Sequence, residues 1–132
     1  MRSRRAHSAV PTVLARVAGL IVRAATRHGV APRELLAGSG VDVQSLDDAD
    51  ARIAVSTEEA LWSRAAALSG DAHFGLHAAA LIRPGVFDVM DYAVRTAPTL
   101  REALERLARY NRLVHDVAGF RIVDSAQTVR VE

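Results

Sequence analysis

The sequence predicts a predominantly helical α+β domain, about six helices followed by a β-hairpin. Half of the 132 residues are hydrophobic and only 5% are aromatic, so the core must be built from Ala, Val and Leu, which favours helix over sheet. Apolar residues recur at Leu100, Ala103, Leu104, Leu107, Val114 and Val117, with Asn111 as a polar exception. That is the spacing of a helix with one buried stripe. After Asp116 the pattern changes to alternation, with Phe120 and Ile122 set against Arg121 and Val123, then Val129 and Val131 against Arg130. This predicts two strands and a loop at 124–127.

Residues 1–8, which include Arg2, Arg4 and Arg5, read as a disordered basic tail, and 9–132 as one domain. The run Ala18-Gly19-Leu20-Ile21-Val22 behind these arginines invites a signal-peptide reading, but His7, Pro11 and Arg16 interrupt it and Arg23 closes it. A first helix is expected from Val10 or Pro11, with Val10, Val13, Leu14, Val17, Leu20, Ile21, Ala24 and Ala25 inward and Arg16, Arg23 and Arg27 on the wet side. Gly29 is placed to end it in a left-handed conformation. Pro32 then opens a short helix to Ala37, closed by Gly38 and Gly40.

The acidic stretch 42–50 reads as a loop, and Ile53 with Val55 as a brief extended piece. Ser56-Thr57-Glu58-Glu59 spells a capping box for a helix that buries Leu61 or Trp62, Ala65, Ala66 and Leu68 and stops at Gly70. Asp71 is expected to cap a helix from Ala72 to about Leu81. The turn dipeptide Pro84-Gly85 leads to a helix over 86–97, which ends because Pro98 disfavours the helical conformation at Ala97. Thr99 and Glu102 form a second capping box, and Glu102/Arg106 and Glu105/Arg109 are acid-before-base pairs one turn apart. The chain stops at Glu132 inside the second strand, and a lone hairpin is marginal in water. The sequence therefore reads as a domain shortened at its carboxy-terminal end.

With no cysteine, a disulfide framework, a thiolate nucleophile and a sulfur-based zinc site are excluded. All 17 basic residues are arginine, yet the net charge is only +2, and Arg2, Arg4 and Arg5 alone exceed that surplus. This is thin support for nucleic-acid binding. No run approaches the ~20 apolar residues of a membrane span.

Candidate chemistry is sparse. His73 and His77, four apart, would share a helical face and make half a metal site, but no third ligand stands in the expected pattern, so no metal and no cofactor are expected. Asp88 and Asp91 could share a proton in an enzyme's pocket, although charges at a helix start explain them more simply. Residues 20–37 imitate a helix-turn-helix around Gly29, but the second element offers only Arg33 near its start. With the Arg-rich tail, this segment carries the alternative reading of a stand-alone nucleic-acid-binding domain. Trp62, Tyr110 and His115 combine an apolar body with a polar tip and are the ligand-binding candidates. Arg109 and Arg112 could pair with an anionic effector, and a solvated helix face explains them equally well.

Four stretches occur in an order that carries a family resemblance. They are Leu35-Leu36-Ala37-Gly38-Ser39-Gly40-Val41, Asp50-Ala51-Arg52-Ile53, the Trp62 helix into Gly70-Asp71-Ala72-His73-Phe74-Gly75-Leu76, and Arg83-Pro84-Gly85 through Pro98-Thr99-Leu100-Arg101-Glu102-Ala103-Leu104. Together they resemble the amino-terminal effector-sensing, "arabinose-binding" domain of AraC-type bacterial transcription regulators. The resemblance implies a cytoplasmic, non-enzymatic domain that senses a small molecule and forms a homodimer. It also implies control of DNA through a carboxy-terminal helix-turn-helix domain that this sequence does not contain.

Overall fold

In the computed structural model, residues 10–124 and 129–132 are described; the expected basic tail and the hairpin loop from Ser125 onward lie outside them. The elements run β1 (Thr12–Leu14), α1 (Ala15–Arg27), α2 (Pro32–Leu36), β2 (Arg52–Ala54), α3 (Val55–Ser69), α4 (Phe74–Ala79), α5 (Asp88–Arg95), α6 (Leu100–Tyr110), β3 (Ile122–Asp124) and β4 (Val129–Val131). Six helices and two small antiparallel strand pairs make this a predominantly helical α+β fold, as expected.

The first helix starts at Ala15, not at Val10 or Pro11. Thr12, Val13 and Leu14 are instead a strand, paired antiparallel with β2 in the register Thr12↔Ala54, Val13↔Ile53, Leu14↔Arg52. On its other edge Val13 bridges His115, with Leu14 N–H donating to the Val114 carbonyl at 2.9 Å and Asp116 N–H to the Thr12 carbonyl at 3.0 Å. Strand β1 is therefore paired on both edges, with β2 on one and the bridge to His115 on the other, and pairing with distant segments overrides a helical apolar spacing. Val10, counted into the stripe, is 67% exposed.

A polar knot closes this seam. Thr12 donates its N–H and its hydroxyl to Asp116 Oδ2 at 2.7 and 2.8 Å, while Arg52 donates to Thr12 Oγ1 at 2.7 Å, the Leu113 carbonyl at 3.1 Å and Asp116 Oδ1 at 3.0 Å. The Thr12 bonds, that of the backbone first, hold the Asp116 carboxyl below its usual range, and the nearby Arg52 and His115 add to the effect.

Helix α1 is the central rod. Nine of its 13 residues are buried, from Ala15 through Ala25, and Gly19 lets the neighbouring 3-10 turn Val43–Asp47 approach closely. A Cβ at Gly19 would stand 3.3 Å from the Leu46 carbonyl oxygen. The segment 42–50 is thus more than a loop, since Leu46 is buried against α1 and Asp42 caps the turn by accepting from Gln44 N–H. Gly29 (φ +82°) ends α1 as expected, and α2 follows with Leu35 and Leu36 in the core.

The core has two parts. The larger gathers α1, α2, α3 and α4 around Ile21, Leu35, Leu61 and Phe74, and the smaller joins Val13, Val17, Val55, Met90 and Val114. Ile53 and Trp62 pack against both, so the second strand and the α3 indole weld them together.

Helix α3 begins at Val55, one residue before the expected cap, and no side chain caps it. The Ser56–Glu59 capping box does not form, because the helix already starts at Val55 and Ser56 lies inside its first turn; Glu58 is turned inward and only 8% exposed. The helix ends at Ser69 before left-handed Gly70 (φ +66°), while Leu68 stays 39% exposed. Helix α4 is shorter than the expected 72–81, with Phe74 and Ala78 inward.

The helix pair around Pro98 exists as α5 and α6, both shorter than their apolar patterns. Thr99 Oγ1 accepts from Glu102 N–H at 3.2 Å, half of the expected box, and Glu102 faces Arg106 at 3.7 Å. No residue of α6 is buried and Leu100 is 76% exposed, so the expected buried stripe is a half-covered one. The helix stops at Tyr110 because a 3-10 turn, Asn111–Leu113, redirects the chain to place Val114 and His115 beside β1. The β3–β4 hairpin is fastened to α6 by Arg101, whose two Nη groups donate to Asp124 at 2.9 and 2.6 Å. This guanidinium holds the Asp124 carboxyl low.

Candidate ligand-binding site

Two of the three ligand candidates meet, and Glu58 is what joins them. Trp62 Nε1–H donates to Glu58 Oε1 at 3.0 Å, and His115 Nε2 lies 3.0 Å from Glu58 Oε2. Helix α3 supplies Glu58 and Trp62 one turn apart, and the bridge to Val13 delivers His115. His115 Nδ1 accepts backbone N–H groups from Ala118 at 2.9 Å and Val117 at 3.3 Å. The ring proton therefore sits on Nε2 and goes to Glu58. Both nitrogens are committed, and none is left to take a proton from a substrate. Tyr110 stands apart at the end of α6, 38% exposed, without a hydrogen bond to this cluster among the described residues.

The carboxylates weighed for acid–base work are also separated. Asp88 binds Arg16 Nη1 at 2.6 Å, whereas Asp91 accepts from Arg95 Nε at 2.7 Å and from the backbone N–H of Gly85. Each carboxylate is engaged by its own arginine, and the two do not face one another as a pair. Asp88 has φ +47°, a left-handed conformation that Asp tolerates better than most residues. Arg16 spans it and the Val86 carbonyl at 3.1 Å, which anchors the 83–88 turn to α1.

That anchored turn forms one wall of a cleft of about 590 Å³. Val22, Leu81 and Val86 make its floor, and Arg23, Arg27 and Arg83 its rim. Thr26 also lines it, though its hydroxyl proton is spent on the Val22 carbonyl at 2.8 Å. None of the three arginines has a carboxylate within ion-pair distance among the described residues, although Asp47 shares a smaller neighbouring cleft with Arg23. An apolar floor under three guanidinium groups suits a small organic anion, and the volume is in the range of small-molecule sites.

None of Trp62, Tyr110 and His115 lines this cleft. Arg109 and Arg112 lie on exposed surface, Arg109 beside Glu105. Arg23 and Arg27 are exposed, as expected of the wet face, and their place beside a cleft was not read from the sequence. A signal was present, since two like charges one turn apart repel on an isolated helix and a counter-ion relieves them. In the stretch 20–37 that imitates a helix-turn-helix, Ile21, Val22, Leu35 and Leu36 are all in the core and α2 is only five residues long.

Residues 29–132 match the family described as the arabinose-binding domain of AraC transcription regulators, amino-terminal, and the chain belongs to that family. The family is one of ligand-binding regulatory domains, not of enzymes. Among curated proteins none matches the chain significantly. Among the described residues no helix is long and apolar enough to cross a membrane.

Proposed function

We propose that this domain senses a small organic anion in the cleft between α1 and the 83–86 turn, performs no covalent chemistry, and relays occupancy to a DNA-binding domain elsewhere in its parent regulator. The observation that carries the reading is Arg23, Arg27 and Arg83, without an ion-pair partner among the described residues, beside Val22, Leu81 and Val86. An effector that bridges α1 and the turn favours the arrangement in which both are in place, which is how binding shifts a population. In this reading Trp62 and His115 act through Glu58 as scaffold, and Tyr110 stays at the surface.

Thermal melting against mono- and dicarboxylates, sugar phosphates and neutral sugars, arabinose included, tests the claim. An anion at a hundred times its Kd stabilises by about 2.7 kcal/mol, a rise of roughly 8–13 °C for a chain of this size. Arg23→Ala with Arg27→Ala should abolish the rise. A shift produced by neutral sugars and indifferent to the double substitution would refute the anionic reading.

Pairing of two copies through α5 and α6 belongs to the same proposal. It is supported by Val89 and Tyr92, one turn apart on α5 and more than 70% exposed, and by Leu113 beside Val89 in an adjoining cleft. Sedimentation across a wide concentration range should show a dimer that Tyr92→Glu dissociates; a monomer throughout rejects it.

A further inference from the structure

The histidine pair that sequence spacing singled out is not the pair the fold assembles. His73 is exposed and donates only its backbone N–H, at 2.9 Å, to Asp71 Oδ1. The other oxygen, Asp71 Oδ2, faces His77 Nδ1 at 2.5 Å and His28 Nε2 at 3.6 Å. One ligand atom from each of His28, Asp71 and His77 lies within 4.8 Å of the others. These residues come from three places: the carboxy-terminal cap of α1, the turn after α3, and α4.

We propose that His28, Asp71 and His77 form a binding site for a divalent transition-metal ion of the zinc class, in which three protein ligands leave one position open. Two imidazole nitrogens and one carboxylate oxygen are the donor set that such borderline ions prefer over calcium or magnesium. Bond lengths near 2.0–2.1 Å in a tetrahedron set donors roughly 3.3 Å apart. The His28–Asp71 separation already approaches that value. His77 must open from Asp71 by about 0.8 Å as the metal replaces the shared proton, and its side chain, 61% exposed, has room to turn.

The carboxylate is oriented in advance. The His73 N–H holds Oδ1, and Ser69 Oγ accepts the Asp71 N–H at 3.3 Å, so Oδ2 is presented to both rings without further folding. The rings themselves are nearly parallel, 22° between planes with centroids 6.3 Å apart, and the His28 ring rests 5.9 Å from that of buried Phe74. Two of the three ligands are thus held by the core, and the third is free to close. A metal here would pin the end of α1 to α4, whether or not the arginine cleft takes an anion.

The test uses the untagged chain, with calorimetric titration of Zn²⁺ and optical titration of Co²⁺ at neutral pH. The proposal expects one saturable equivalent per chain, a cobalt spectrum of tetrahedral intensity, and a melting midpoint raised by several degrees at a hundredfold excess over Kd. His28→Ala and His77→Ala, each checked for a native helical spectrum, should weaken binding at least tenfold, while His73→Ala should leave it unchanged. If either ligand variant unfolds, His28→Gln and His77→Gln take its place. Absence of saturable binding in the natural sequence, or a loss on His73→Ala equal to that on His77→Ala, overturns the site.

Discussion

Leu61→Ala should lower the free energy of unfolding by about 3–4 kcal/mol, measured by urea denaturation with an unchanged m-value. The side chain is 2% exposed and sits at the centre of the larger core, where α3 meets α1 and α2. Removing it deletes three buried carbons and leaves a void walled by the larger cluster, to which α1 and α2 contribute fully buried Ile21 and Leu35. Such walls relax little, and the loss falls in the upper half of the usual range for this truncation. Leu68→Ala on the same helix is the control. With 39% of the residue exposed, its loss should be under about 1 kcal/mol. Equal losses at the two positions would show that the core re-forms around the missing side chain.

Glu58→Ala should cost about 3 kcal/mol, because it strands two donors at once. The Trp62 indole N–H and the His115 Nε2–H both end on this carboxylate, and a partly buried donor left without an acceptor costs roughly 1–3 kcal/mol. Glu58→Gln keeps one acceptor oxygen but turns an amide N–H toward the other donor, so about 1 kcal/mol should be lost. The two variants therefore separate hydrogen bonding from volume. If the Gln and Ala variants unfold at the same urea concentration, the network contributes nothing that packing does not. Loss of Glu58 should also loosen the 114–116 segment, seen as faster amide exchange at Leu14 and Asp116, because His115 would be held only through its backbone and Nδ1.

Punctuation made much of this fold legible. Gly29 and Gly70 end their helices in left-handed conformations, Pro32 opens α2, and Thr99 caps α6 behind Pro98. What could not be read was decided by partners far along the chain. Thr12–Leu14 has helical apolar spacing, and only the arrival of Arg52 and His115 makes it a strand. The letters Ser56-Thr57-Glu58-Glu59 fit a cap, but the helix starts one residue earlier, with Val55 in the smaller core, and Ser56 falls inside its first turn. In the same way His77 finds His28 rather than its sequence neighbour His73, because Asp71 reaches across the gap between α1 and α4. Trp62 and His115 were legible as unusual residues and their mutual partner was not. Of the cleft arginines, Arg23 and Arg27 were visible as a like-charge pair on α1, and Arg83 only as part of the turn before Gly85.

The hydrogen bonds between Thr12 and Asp116 join residues 104 apart in sequence. Synthesis at about 5–20 residues per second leaves the opening strand without its second neighbour for roughly 5–20 s. Throughout that interval the Leu14 N–H and the Thr12 carbonyl, beside a Val13 fully sheltered in the finished domain, stand open to any extended segment nearby. The seam is thus closed by a segment made 104 residues after the strand it completes. A nascent chain halted before Val114 would present an unfilled slot of strand width, and a short peptide copying residues 112–118 should compete for it.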